Sequence, residues 1–253
     1  MKKQLILLFL SAILSVSCKN SMVYEVSQVS GRSIPVSDSI PAHDSISEFI
    51  QPYKEYIDRE MNAVLAYSPK DLVKTDGELN TALGNMMADA VMELANPVFK
   101  KRTGNSIDIV LLNHGGIRSS VEKGDITTRT AFQLMPFENE VVVAKMKGSA
   151  VRDLVRYLID AGVAHPIAGL QLVLNSNNAI EKLLVQGEPV QEEKDYFVAT
   201  NDYLLQGGDN MVFFSKANEV TSLNYKIRNL LIDYFSKHDI IAPVKDQRFI
   251  RLK

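Results

Sequence analysis

Cysteine is almost missing from this chain: one residue, Cys18, stands among 253. No disulfide can therefore close within it, and stability must come from a packed core. Histidine is scarce too. His43, His114, His165 and His238 are far apart, without the close spacing of a metal-ligand cluster. His43 falls in a polar leader, and His165 and His238 stand in loop-like contexts, where surface positions are expected. An excess of one charge is also lacking. Thirty acidic against 28 basic residues leave a net charge of −2, which removes the electrostatic case for a nucleic-acid polymer or a charged membrane surface as partner. The long apolar run, Leu5–Val16, is too short to span a bilayer.

What is present is the composition of an ordinary globular protein. At 46% hydrophobic and 23% charged residues, the chain can bury a sizeable core, as one large domain or two small ones. Its first residues differ in kind. Met1-Lys2-Lys3 is a basic start, Leu5–Val16 is apolar, and Ser15-Val16-Ser17 are small, the pattern of a secretory signal peptide over residues 1–17. Leu14-Ser15-Val16-Ser17-Cys18 resembles a bacterial lipoprotein lipobox, with the leucine one place further out than usual. This implies a lipidated Cys18 and a protein anchored in the bacterial cell envelope, periplasmic or outer-membrane facing. Residues 18–45, rich in Ser, Val and Pro, read as a tether, and 46–253 as the folded domain.

Within 46–253, apolar residues at spacings of three and four from Ile46 to Leu65 predict an amphipathic helix ending near Tyr67-Ser68-Pro69, with Pro52 in its first turns. A short strand is expected at Leu72–Thr75. A second helix follows from Leu79 to Leu94, capped by Asn80 or Thr81, with its Met-rich face in the core. Thr103-Gly104-Asn105 and Lys123-Gly124-Asp125 read as turns. Helices are expected over Thr127–Leu134, Ala150–Ile159 and Asn224–Tyr234. Strands are expected over Ile107–Leu112, Glu140–Met146, Leu170–Leu174, Lys182–Val185 and Tyr196–Thr200, and Arg248–Leu252 can close a sheet edge. Helices and strands without strict alternation indicate an α+β, mixed α/β fold.

Three polar tips interrupt this pattern. The strand at 107–112 ends in Asn113-His114-Gly115-Gly116-Ile117-Arg118. Gly115 and Gly116 allow a tight turn and close approach of a ligand to bare amides; Asn113 can donate and accept, and Arg118 offers a fork for phosphate or carboxylate. Phe137 follows Pro136 in a polar loop, either as a core aromatic tucked beneath it or as a ring offered to a ligand. Tyr203 opens a short helix before Gly207-Gly208-Asp209. It is either a packed tyrosine with a bonded hydroxyl or a second ring face, and Asp209 either caps a turn or accepts hydroxyls. Together, two aromatics, a carboxylate and an arginine form a nucleotide-shaped set: stacking contributes about 1–3 kcal/mol per base.

The order of motifs resembles the C-terminal, substrate-binding domain of the 5'-nucleotidase family. The matching pieces are Leu83-Gly84-Asn85-Met86-Met87-Ala88-Asp89-Ala90, Asn113-His114-Gly115-Gly116-Ile117-Arg118, Gly124-Asp125-Ile126-Thr127, Met135-Pro136-Phe137, Lys147-Gly148, and Thr200-Asn201-Asp202-Tyr203 with Gly207-Gly208-Asp209. They run in family order over roughly residues 60–215. The resemblance implies that Phe137 and Tyr203 stack on a base, that Asp209 binds ribose hydroxyls, and that Asn113 and Arg118 reach the ribose and phosphate side. The helix from residue 46 resembles the family's interdomain helix. Departures are His114 in place of a glycine, Asn210 in place of another, and Asn80-Thr81-Ala82 where the family often has an acid or an arginine.

Family hydrolysis resembles two-metal phosphoester cleavage run by a separate N-terminal domain with several His, Asp and Asn ligands. Its ligand motifs are not found around the four histidines here. The resemblance therefore implies no catalytic residue, metal or cofactor in this chain, and divalent metal only in a partner. The expected role is a lipid-anchored nucleotide-binding subunit, inactive alone, that works with a separately encoded metallophosphoesterase. The rival role is a stand-alone nucleoside- or nucleotide-binding envelope lipoprotein.

Overall fold

The structure, a computed structural model, describes residues 25–37 and 39–252. The expected signal peptide and Cys18 lie outside the described residues. The chain divides into two units, residues 1–49 and 50–253. In the first, the described residues before Asp44 carry no helix or strand and are exposed throughout. Helix α1 runs Asp44–Met61 and so begins two residues earlier and ends earlier than its periodicity predicts. Pro52 consequently sits in its interior, where it removes one backbone hydrogen bond. Among the described residues no helix is long and apolar enough to cross a membrane.

The second unit is built on a five-stranded sheet of order β10-β4-β9-β2-β5. Its strands are β2 (Ile109–Leu111), β4 (Glu140–Lys147), β5 (Ile167–Ala168), β9 (Asp195–Asn201) and β10 (Glu219–Lys226). β2 and β9 are parallel, and the other pairings are antiparallel. Side chains alternate between two cores. Val110, Val141, Val143 and Ala199 face helices α2 (Ala82–Thr103) and α6 (Ile227–Lys237). Ile109, Leu111, Ala144, Met146 and Val198 face helix α4 (Gly148–Ala161) and a second sheet. Because both faces are covered, the central strands read in sequence as near-continuous apolar runs rather than as alternation.

The second sheet has the order β11-β6-β7-β8, with β6 (Leu170–Leu174) and β7 (Ile180–Val185) antiparallel as expected. β8 is the short Glu188–Pro189, and β11 (Phe249–Arg251) pairs parallel with β6, closing the edge foreseen for 248–252. Helix α2 starts after Thr81, whose hydroxyl accepts the Gly84 N–H as its capping role expects, and runs nine residues past the expected Leu94 to stop at Gly104 in the left-handed region. Helix α3 (Thr128–Leu134) and helix α5 (Asp202–Leu205) complete the set.

Some expectations are corrected. Val64 and Leu65 do not extend α1; they open β1 (Val64–Ser68), which pairs with β3 (Gly124–Thr127), so the turn expected at 123–125 is largely strand. The strand expected at 72–75 is a single bridge, Leu72 to Val121. The last helix begins at Ile227 rather than Asn224, because Leu223 lies in β10, an edge strand in which it is the lone buried residue. His165, expected at the surface, is buried at 7% exposure. His238 is half-buried against Glu93, 3.1 Å away.

Candidate functional site

Topology brings the three polar tips to one end of the sheet. Since β2 and β9 are parallel neighbours (Ile109 beside Val198), the segments leaving them, Asn113–Arg118 and Asp202–Asp209, emerge side by side. β4 runs antiparallel to β9 with Val141 opposite Asn201, so the Pro136–Asn139 loop that enters β4 reaches the same end. The carboxyl ends of parallel strands are where open α/β sheets form ligand crevices.

A crevice of about 340 Å³ lies there, within the size range of small-molecule sites. Asn113, Gly115, Gly116, Arg118, Phe137, Asn139, Tyr203 and Asp209 line it. The structure thus brings together every substrate-site residue read from the sequence and adds Asn139. Asn139 was missed because nothing about it is unusual locally; only its place beside Phe137, just outside β4, puts it on the wall.

Phe137 and Tyr203 are exposed, at 41% and 46%, so Phe137 is not a core aromatic, and Tyr203 has the bonded hydroxyl of one expectation with the open ring face of the other. Phe137 owes its position to its neighbours. Arg228, 7% exposed, lies over the Phe132 ring at 4.2 Å and donates to the Pro136 carbonyl at 3.0 Å. Arg228 and Lys226 also both bind the Glu138 carboxylate, and these hydrogen bonds, from Lys226 first and Arg228 next, hold its pKa down to about 2.

Asp209 is the hub of the opposite wall. The Tyr203 hydroxyl donates to its Oδ1 at 2.8 Å and the Asn113 amide to its Oδ2 at 2.7 Å. The bond to this carboxylate is the main cause holding the Tyr203 phenol above its usual pKa, so it remains a donor. Asp209 has φ 52° and Asn210 φ 61°, a left-handed pair that Asp and Asn tolerate better than other side chains. Gly115 and Gly116 form the tight turn at His114–Gly116 and line the crevice, and two of the site's glycines have a further purpose. A Cβ on Gly116 would come within 2.7 Å of Asn113 Oδ1, and one on Gly208 within 2.5 Å of the Tyr203 ring. Their bareness admits the site's own side chains.

Arg118 is exposed, 5.8 Å over the Phe137 ring, with one long bond of 3.4 Å to the Gly115 carbonyl. Among the described residues it has no carboxylate partner, which leaves its fork for an incoming anion. His114 takes the place of a glycine but does not line the crevice. Its N–H donates to His165 Nδ1 at 3.2 Å and its own Nδ1 meets the Ala164 carbonyl at 3.2 Å, tying the turn to the loop after α4. Burial, reinforced by the nearby His114, pushes the His165 imidazole down to about 4. His165 is therefore neutral and its Nδ1 is an acceptor.

A larger recess of about 630 Å³ lies behind Asn210, floored by Tyr157, Val212 and Phe213. Size favours it, chemistry does not: Asp153 is already engaged by Lys216 at 2.6 Å and Arg156 at 3.0 Å, and with Asp160 on the same lining the charges balance. Among the described residues no group of three or more His, Cys, Asp or Glu is arranged to hold a metal ion.

Comparison with known proteins agrees with this layout. Residues 64–216, more than half of the chain and all of the crevice, match the family described as "5'-nucleotidase, C-terminal domain". The chain is 26% identical over 209 residues to a cell wall protein of Listeria monocytogenes, covering 74% of this chain and 26% of that protein. It is 25% identical over 216 residues to a 5'-nucleotidase of Vibrio parahaemolyticus, covering 81% and 36%. It thus spans about a quarter to a third of these curated relatives. Its fold is that of part of a 5'-nucleotidase precursor from Thermus thermophilus (TM-score 0.68, 22% identity, 85% of this chain and 45% of that one).

Proposed function

Because the chain belongs to the family of 5'-nucleotidase C-terminal domains, we propose that its crevice holds a nucleotide and presents the phosphate to a metallophosphoesterase carried on a separate chain. Phe137 and Tyr203 take the base between them. Asp209 accepts the ribose hydroxyls, Asn113 and the Gly115-Gly116 turn line the sugar side, and Arg118 meets the phosphate. The observation that carries this reading is convergence: residues separated by up to 96 positions, chosen by residue type and motif, line one crevice.

Each contact has a suitable magnitude. Stacking contributes about 1–3 kcal/mol per base, and hydroxyls on a carboxylate about 1.5–3 kcal/mol. Ordering and association return several kcal/mol of that, so a millimolar to micromolar Kd, about −4 to −8 kcal/mol, is expected for the chain alone. The divalent metals that would activate water belong to the partner, and this chain supplies binding and orientation. Helix α1 contributes to the docking surface. A lipid anchor at Cys18 after removal of residues 1–17 would keep the pair at the bacterial envelope, a placement supported by a relative named as a cell wall protein.

Calorimetry with adenosine, AMP and UDP-glucose tests the crevice, and co-purification tests the partner. Binding together with a gain of phosphatase activity on mixing with a secreted metallophosphoesterase supports the full proposal. Binding without partner or gain reduces it to a stand-alone capture lipoprotein, and no binding at all overturns it.

A further inference from the structure

The two polar groups that meet in the crevice, Asn113 and Asp209, are each tied from behind to the same ring pair, the half-buried Tyr157 and the buried His165. Behind Asn113, the next residue's N–H is accepted by His165 Nδ1 at 3.2 Å. Behind Asp209, the Tyr157 hydroxyl donates to its backbone carbonyl at 2.8 Å. The Tyr157 and His165 rings lie against each other, centroids 5.6 Å apart, and Asn113 closes the circuit on Asp209 at 2.7 Å. The circuit joins four chain segments, at 113–114, 157, 165 and 209, and Phe213 packs on the outer side of Tyr157 at 5.6 Å. Neither Tyr157 nor His165 lines the crevice.

Asp209 needs such a tether. Its left-handed backbone is less favourable than the right-handed one for a residue with a Cβ, even for Asp, and Asn210 after it is left-handed as well. A segment strained in this way keeps its conformation only where its surroundings over-determine it. The Tyr203 and Asn113 bonds hold the carboxylate, the Tyr203 hydroxyl also accepts the Asp209 N–H at 3.3 Å, and the described bond that reaches the Asp209 carbonyl comes from Tyr157. Burial, with the charges of Asp209 and Tyr203, raises the Tyr157 pKa, so its hydroxyl keeps the proton it donates.

We propose that Tyr157 and His165 are positioning residues: they form a frame that presets the Asp209–Asn113 arm for the hydroxyls of a ribosyl ligand without touching that ligand. The ligand part rests on the reading of the crevice given above; the frame itself does not.

The test is Tyr157→Phe, which keeps the ring and removes the hydroxyl, read two ways on the full chain. Without ligand, amide hydrogen exchange at Asp209 and Met211 should quicken about tenfold, the loss of one net hydrogen bond, while the melting temperature stays within a few degrees. Unchanged exchange at both amides overturns the frame whatever the chain binds. With ligand, the variant should lose about tenfold in affinity for adenosine and less than twofold for 2',3'-dideoxyadenosine. An equal loss for both, or none for adenosine, overturns the preset arm. Asp209→Ala isolates the underlying reading. If it leaves the ratio of the two affinities as in the unaltered chain, the hydroxyl role of Asp209 fails, and exchange alone still decides the frame.

Discussion

The two walls of the crevice are held by opposite means. The Phe137 wall is pinned by charge, the exposed Glu138 joining Lys226 to the buried Arg228. The Asp209 wall is pinned by neutral groups, the half-buried Tyr157 and the buried His165. An ion-paired wall is open to water and salt, whereas a wall hung on a neutral buried imidazole depends on that imidazole staying uncharged. On the proposed function, the aromatic side would adapt to a base while the polar side would be preset for a sugar.

Acid should separate the walls most strongly. His165 has a folded pKa of about 4 against an ordinary 6.5, so between these values the unfolded chain binds the extra proton. Stability is thus fully present above about pH 6.5 and falls as pH drops towards 4, by on the order of 3 kcal/mol. Glu138 acts lower: its contribution is lost only as pH falls from 4.5 through about 2. Urea melts at pH 7, 5 and 4 should show the first loss, and His165→Asn should flatten it. An equal pH slope in that variant would show that the Asp209 wall does not depend on the neutral ring.

Phe137→Ala comes next. It removes one stacking face, about 1–3 kcal/mol, or roughly five- to 150-fold in nucleoside affinity by calorimetry. Unchanged affinity would leave the aromatic wall without its proposed role. Arg228→Met keeps most of the packing on Phe132 but releases the Pro136–Glu138 loop. It should cost about 1–2 kcal/mol in denaturant melts and weaken nucleoside binding less than Phe137→Ala does. The smallest effect should come from Arg118→Ala: about 0.5–1.5 kcal/mol weaker for AMP and near zero for adenosine. An equal loss for both would place Arg118 on the base or sugar instead of the phosphate.

Much of this was legible beforehand, for local reasons. Thr81, one of the two caps expected, marks the start of α2 because capping is a matter of a few consecutive residues, whereas the helix runs on from Leu94 to Thr103. The apolar runs at 107–112 and 140–146 gave the central strands. What misled was also local. Val64 and Leu65 fit a helical period yet sit in a strand, because pairing with residues 124–127 outweighs periodicity. β10 shows one buried residue, Leu223, too little pattern for an edge strand to announce itself. His165 reads as a surface loop residue although Val163, Ala164, Pro166 and Ile167 beside it are apolar; the contact with the Tyr157 ring comes only with the fold.

The chain's own order of residues determined its family, its mixed α/β class and the identity of the rings, carboxylate, amide and guanidinium that line the crevice, because these are matters of residue type and short spacing. The tertiary structure alone decided that they meet, that Asn139 joins them, and that Tyr157 and His165 stand behind them. The parallel pairing of β2 with β9 and the antiparallel return of β4 place three distant tips at one sheet end. Such long-range pairing is settled by which faces can be buried together, and no short stretch of sequence contains that information.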